Sequence, residues 1–172
     1  MRILGIDPGL NATGWGVIEI DGDRCVHLGH GVVRTKPAKG RIERLVVIRD
    51  GVLAVAKEWQ VDAAAIESSF VGNNSRSAMT LGEARAAAIL ALADSGLIVS
   101  EYAPALVKQT VAGYGRGEKA QIAEMVRMQL SLASVPSPSD AADALAIAIT
   151  CWAHNRLDSR VAAHDPRFAA GR

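Results

Sequence analysis

Aromatic side chains are scarce: three Trp, two Tyr and two Phe make up 4% of 172 residues. The core must therefore be aliphatic and rich in small residues, a composition that suits helices packed on a sheet. Cysteine is scarcer still. Cys25 and Cys151 lie far apart and form no CxxC, which excludes a disulfide framework or a thiolate zinc ribbon and points to reduced thiols. Long apolar runs are missing too. The longest, residues 86–93 and 144–153, are too short to span a bilayer. Asp7 interrupts the apolar N-terminus at once, so no signal peptide is expected and the expected compartment is the cytoplasm. A net charge of +1 gives no strong global field to mark a polyanion binder. What is present is a hydrophobic fraction of 49% and a mean hydropathy of +0.16, which excludes general disorder. The length fits one domain able to bury a core without staples.

The first third reads as a meander of three antiparallel strands. Residues 2–6 form an apolar run that ends at Asp7-Pro8-Gly9, residues 13–20 lead into an Asp21-Gly22 turn, and residues 25–34 follow. Gly29 and Gly31 suggest a bulge or close packing in the third strand. Helix and strand then alternate: a helix over 41–59, a short buried strand over 62–67, an Ala-dense helix over 74–94 and a strand over 97–102. Helices over 105–112, 118–132 and 140–155 close the chain, with a glycine-rich loop at 113–117. The expected class is α/β, a mixed five-stranded sheet flanked by helices. One folded domain is expected to span residues 1–156, with 157–172 a flexible tail.

Four acids stand at the borders of apolar segments. Asp7 ends the first strand, Glu67 ends the fourth, and Asp140 and Asp143 open the last helix. If the first and fourth strands are parallel neighbours, they lie about 4.8 Å apart. Asp7 and Glu67 then emerge side by side at the carboxyl edge, where open α/β sheets bind ligands. Asp140 and Asp143, three apart, share a helix face. Convergent carboxylates raise one another's pKa unless a cation neutralises them, and an all-oxygen set selects Mg²⁺ or Mn²⁺ over zinc. Each acid also has a plain structural role open to it: Asp7 in a turn, Ser137 and Asp140 in a capping box, Asp143 on a helix dipole, Glu67 on a solvated rim. The four together argue for a two-ion site of the kind that cleaves phosphodiesters.

The segments Ile3-Leu4-Gly5-Ile6-Asp7-Pro8-Gly9, Thr13-Gly14-Trp15-Gly16, Ala65-Ile66-Glu67 with Phe70, Val107-Lys108-Gln109-Thr110-Val111, Glu118-Lys119 and Asp140-Ala141-Ala142-Asp143-Ala144-Leu145-Ala146 resemble, in order, the RuvC family of bacterial Holliday-junction resolvases. The resemblance runs from about residue 1 to 154 and implies a ribonuclease H-like fold. It implies that Asp7, Glu67, Asp140 and Asp143 are the catalytic metal ligands, holding two Mg²⁺ per subunit with Mn²⁺ able to substitute. Some relatives carry His where Asp140 stands. It also implies that Lys108 and Lys119 face the scissile phosphate, and that Phe70 stacks on bases near the exchange point. The pattern alone would make both lysines solvated surface residues and leave Phe70 equally a core residue. A homodimer built on the helix over 74–94 is implied as well, with the branch-migration proteins RuvA and RuvB as partners.

Nineteen Lys and Arg stand against eighteen Asp and Glu; with four acids assigned to metal, fourteen remain and the excess is five. Arg34, Lys36, Lys39, Arg41 and Arg44 form one basic run, and Lys108, Arg116 and Lys119 another. Either can track phosphates or be solvated loop charge. Strand alternation places Cys25 and His27 on one face and His30 on the other, against a metal site there. The expected activity is metal-dependent nicking of a four-way DNA junction, leaving 5′-phosphate and 3′-hydroxyl ends, in recombination and repair. The alternatives are a nuclease of this fold acting on RNA and a non-catalytic junction-binding protein. An actin-like ATPase shares the opening turn but needs a second domain.

Overall fold

The computed structural model describes residues 1–68, 75–113 and 118–164. The elements are β1 (Arg2–Asp7), β2 (Ala12–Asp21), β3 (Arg24–Arg34), α1 (Arg41–Glu58), β4 (Ala63–Glu67), α2 (Ser75–Asp94), β5 (Val99–Tyr102), α3 (Pro104–Ala112), α4 (Lys119–Gln129) and α5 (Ser139–His164). They form one five-stranded sheet in the order β3-β2-β1-β4-β5. β1, β2 and β3 pair antiparallel, while β4 and β5 run parallel to β1. The β2–β3 hairpin turns at Gly22, whose φ of +58° suits a residue without Cβ.

Side-chain alternation gives the sheet two apolar faces. Leu4, Ile6, Val17, Ala64 and Ile66 pack on one face against α1 and α2, through Ile48, Val52, Ala84, Ala88 and Leu92. Ile3, Ile18 and Ala65 pack on the other against α3, α4 and α5, through Val107, Val111, Ile122, Val126 and Leu145. α5 lies unusually near the strands. A Cβ at Gly5 would fall 2.0 Å from the Ala144 carbonyl oxygen, and one at Gly14 would fall 2.0 Å from that of Asp140. The glycines of β1 and β2 and the alanines of α5 thus allow backbone to meet backbone.

The third strand corrects the reading of its histidines. Val17 pairs with Gly29 but Ile18 pairs with His27, so Leu28 is an extra residue in a bulge. The bulge resets the alternation and returns His30 to the side of His27, where the two rings hydrogen-bond (Nε2 to Nδ1, 2.8 Å). Gly29 and Gly31 also provide close packing, against Trp59 and Trp15 respectively. At the other end of the chain, α5 continues to His164, past the boundary at 155 that composition suggested. Residues 165–172 of the expected tail lie outside the described residues.

Candidate metal and phosphate site

The parallel register aligns Ile3 with Ala63 and Ile6 with Ile66, so Asp7 and Glu67 stand one step further along, side by side at the carboxyl edge. They share the parity of Ile3 and Ala65, which pack against α5. Both carboxylates therefore leave the sheet on the α5 side. Gly14 is the β2 residue opposite Asp7, and Gly14 is also where α5 rests on the sheet through Asp140. The missing side chain at Gly14 thus sets the first turn of α5 above the Asp7 row, and Asp143 follows three residues on.

Three of these acids border a cleft of about 370 Å³ whose polar lining comes from Asp7, Glu67, Ser68, Lys108, Lys119 and Asp143. Asp140 stands outside the lining but acts on Asp7 through its charge. Burial pushes the Asp7 carboxyl up to about 8, with further upward pressure from the charges of Asp143, Glu67 and Asp140 and some relief from Lys119. Burial and Asp143 raise Glu67 likewise, opposed by Lys119 and Lys108. Lys119, at the start of α4, donates from Nζ to Asp143 Oδ2 at 3.1 Å. That hydrogen bond, followed by the Asp143 charge, raises the Lys119 pKa. Lys108, on α3, lines the same cleft.

The donors fit a hard divalent cation. They are carboxylate oxygens with no His or Cys among them, and their mutual repulsion exceeds what one ammonium relieves. Among the described residues no group of three or more such side chains stands close enough together to hold a metal ion. Phe70 and Arg116, the other expected DNA contacts, lie outside the described residues.

Two arginines at the site have roles that the sequence pattern did not separate from surface charge. Arg44, in the basic run of 34–44, donates to the Thr35 hydroxyl at 2.8 Å, the Leu10 carbonyl at 3.1 Å and Asn11 Oδ1 at 2.5 Å. Thr35 adds a hydrogen bond to Leu10 O at 2.6 Å, so the loop that follows Asp7 is bolted to α1. Arg41 and Lys39 of the same run pair with Glu83 and Glu43. The run is therefore in part an internal brace, not a bare phosphate track. Arg85 of α2 donates to the main-chain carbonyl of Glu67.

The family profile described as "Crossover junction endodeoxyribonuclease RuvC" matches residues 3–151. The chain belongs to the RuvC family. A RuvC from Chloroflexus aggregans is 50% identical over 154 residues, covering 90% of this chain and 93% of that one. A RuvC from Parvibaculum lavamentivorans is 48% identical over 173 residues, covering 100% and 98%. The structure of Thermus thermophilus RuvC in complex with a Holliday junction superposes with a TM-score of 0.86 at 37% identity, covering 92% of this chain and 96% of that one. The mixed sheet is thus the ribonuclease H-like fold of RuvC. No helix among the described residues is long and apolar enough to cross a membrane.

Proposed function

We propose that this chain resolves four-way DNA junctions by paired, symmetric phosphodiester hydrolysis, acting in the cytoplasm in recombination and repair. The observation that supports it most is electrostatic. Asp7 is under the charges of Asp143, Glu67 and Asp140 at once, at the carboxyl edge of a RuvC-family sheet. Four acids would only weaken the binding of a polyanion unless a cation sits between them and the phosphate. This disfavours the non-catalytic reading.

Asp7, Glu67, Asp140 and Asp143 would hold the cation, most simply two Mg²⁺ with Mn²⁺ as a substitute. When bound, such ions neutralise phosphate charge and make water a nucleophile at neutral pH. The chain's own residues supply the rest. Asp7 and Glu67 are fixed by the parallel ladder, and Asp140 and Asp143 by a helix seated on Gly5 and Gly14. Lys119 is held at the cleft by Asp143, so its ammonium stands ready to face the scissile phosphate, with Lys108 lining the same cleft. Both lysines would offset the charge that builds on the phosphate as the 3′ oxygen leaves. Products with 5′-phosphate and 3′-hydroxyl ends follow. Phe70 and Arg116 would add contacts to the bases and backbone.

Cutting two opposed strands calls for two sites related by a two-fold axis. The surface that suits a second copy is the apolar groove between α1 and α2, lined by Ile42, Leu45, Val46, Ala86, Ala87 and Leu90. Ile42 is 80% and Leu90 58% exposed, high for side chains of this kind. RuvA and RuvB are the partners that family membership suggests.

The test uses a labelled four-way junction with a mobile core and a duplex of the same sequence, each incubated with protein and Mg²⁺. Paired nicks near the junction centre, absent from the duplex and from Asp7→Asn, are expected. Junction binding without nicks in either Mg²⁺ or Mn²⁺ would favour the binding-protein reading. Preferred cleavage of an RNA duplex would move the substrate class.

A further inference from the structure

The main chain of Glu67 has a bonding problem that the ladder does not solve. Ala64 N–H donates to Ile98 O and Ser68 N–H to Tyr102 O, so the even-numbered groups of this strand face β5. Glu67, one residue out of phase, faces β1. The β1 residue next in line to donate there is Pro8, which has no N–H. Gly9 offers no substitute, because its N–H is directed at the Thr13 hydroxyl. The guanidinium of Arg85 takes this place, with Nε 3.0 Å from Glu67 O. Its other arm pairs with Glu101 Oε2 at 2.5 Å. The Arg85 side chain is 17% exposed and that of Glu101 53%, so the donor is enclosed and its counter-charge lies on the rim.

Arg85 therefore spans three elements. It leaves α2, caps the end of β4 and is steered by β5, where Glu101 is the residue in register with Ile66. A planar fork holds its donors in fixed, divergent directions towards both acceptors; an ammonium is a point charge on a flexible stem and does not fix that geometry. Ala86 and Ala87, next along α2, line the groove assigned above to a second copy. We propose that Arg85 is a positioning residue for Glu67, oriented by Glu101, and that through it the metal affinity of the site depends on the placement of α2. The inference rests on Glu67 being a cation ligand in the function proposed above.

The test compares the wild type with Arg85→Ala, Arg85→Lys and Glu101→Gln. Binding of Mn²⁺ to DNA-free protein is read from the electron paramagnetic resonance of free Mn²⁺. Single-turnover junction cleavage is then titrated with Mg²⁺, and junction binding is measured in EDTA. Removing a group that orients a ligand weakens metal affinity about tenfold or more. Arg85→Ala is expected to show that loss, Glu101→Gln a smaller one, and Arg85→Lys only partial recovery. The Mg²⁺ needed for half-maximal cleavage should rise in parallel, while junction binding in EDTA stays put. Unchanged Mn²⁺ affinity in the variants overturns the proposal. So does a rate loss that is the same at every Mg²⁺ concentration, the sign of a merely structural role. If Arg85→Ala fails to fold, Glu101→Gln decides by the same criterion. Wild-type protein that binds Mn²⁺ yet leaves junctions intact would sink the proposed function and leave the Arg85 comparison standing; wild-type protein without Mn²⁺ affinity overturns the Arg85 proposal too.

Discussion

Two of the crowded clusters of titratable groups among the described residues resolve the same difficulty in opposite ways. Burial disfavours charge at both. On β3, His27 and His30 are pushed down by burial, with His27 further lowered by its neighbour. Neutral imidazoles can donate and accept, so the pair satisfies itself with one N–H···N hydrogen bond. At the carboxyl edge, Asp7 is pushed up to about 8 and Glu67 is raised as well. Ionised carboxylates only accept, so they cannot satisfy one another. The lesson is that a closed polar pair needs no ligand, whereas a set of like-charged acceptors held in place by β1, β4 and α5 calls for a cation.

The sharpest way to break this contrast is Asp7→Asn. Junction cleavage should fall by about three orders of magnitude, the scale of losing several kcal/mol of transition-state stabilisation. Junction binding in EDTA should persist, as a gel shift would show; loss of binding would deny the division of roles. Next is Lys119→Ala. Single-turnover cleavage should slow about a hundredfold with a much smaller change in binding, and an unchanged rate would remove Lys119 from the site.

Gly14→Ala tests the seat of α5. Its new methyl would meet the Asp140 carbonyl, so the helix must shift, at a cost of about 1–3 kcal/mol readable by thermal melting. Metal-dependent cleavage should suffer beyond that loss of stability.

The two clusters should also differ in their pH response. The folded pKa of Asp7 lies above its ordinary value, so its contribution to stability is full below the ordinary carboxylate range. That contribution is lost as pH rises towards about 8. Melting in EDTA should therefore show a decline over that range, Mg²⁺ should reverse it, and Asp7→Asn should shrink both effects to the part that Glu67 contributes. For the histidines the sign is reversed. Their folded pKa values lie below the ordinary 6.5, so their contribution is present above that value and is lost as pH falls through the folded values. A His27→Gln variant should blunt a small stability loss on acidification and leave the metal response unchanged.

Some of this was legible in residue order, for identifiable reasons. Asp7 and Glu67 stand at the ends of short apolar runs, and a parallel pairing of those runs suffices to place them together. The seating of the Ala-rich stretch around Asp140 and Asp143 on Gly5 and Gly14 was not legible, because it depends on which strand residues the last helix comes to lie against. His30 was misplaced because a bulge is one extra residue set by the partner strand, and no feature of 24–34 by itself identifies Leu28 as that residue. Arg44 stayed open between a phosphate contact and solvated loop charge because its acceptors, Leu10 and Asn11, lie more than thirty residues away in sequence.

Residue order is enough for the strand and helix alternation, the two apolar periodicities, the hairpin at Gly22 and the four border acids, because each depends on near neighbours and on turn chemistry. Long-range packing settles which of those acids share one cleft, that Lys119 holds Asp143, that His30 faces His27, and that Arg85 replaces the N–H that Pro8 lacks. Those outcomes depend on which backbone comes alongside which, and that is set by the joint packing of sheet and helices, not by any one segment of the chain.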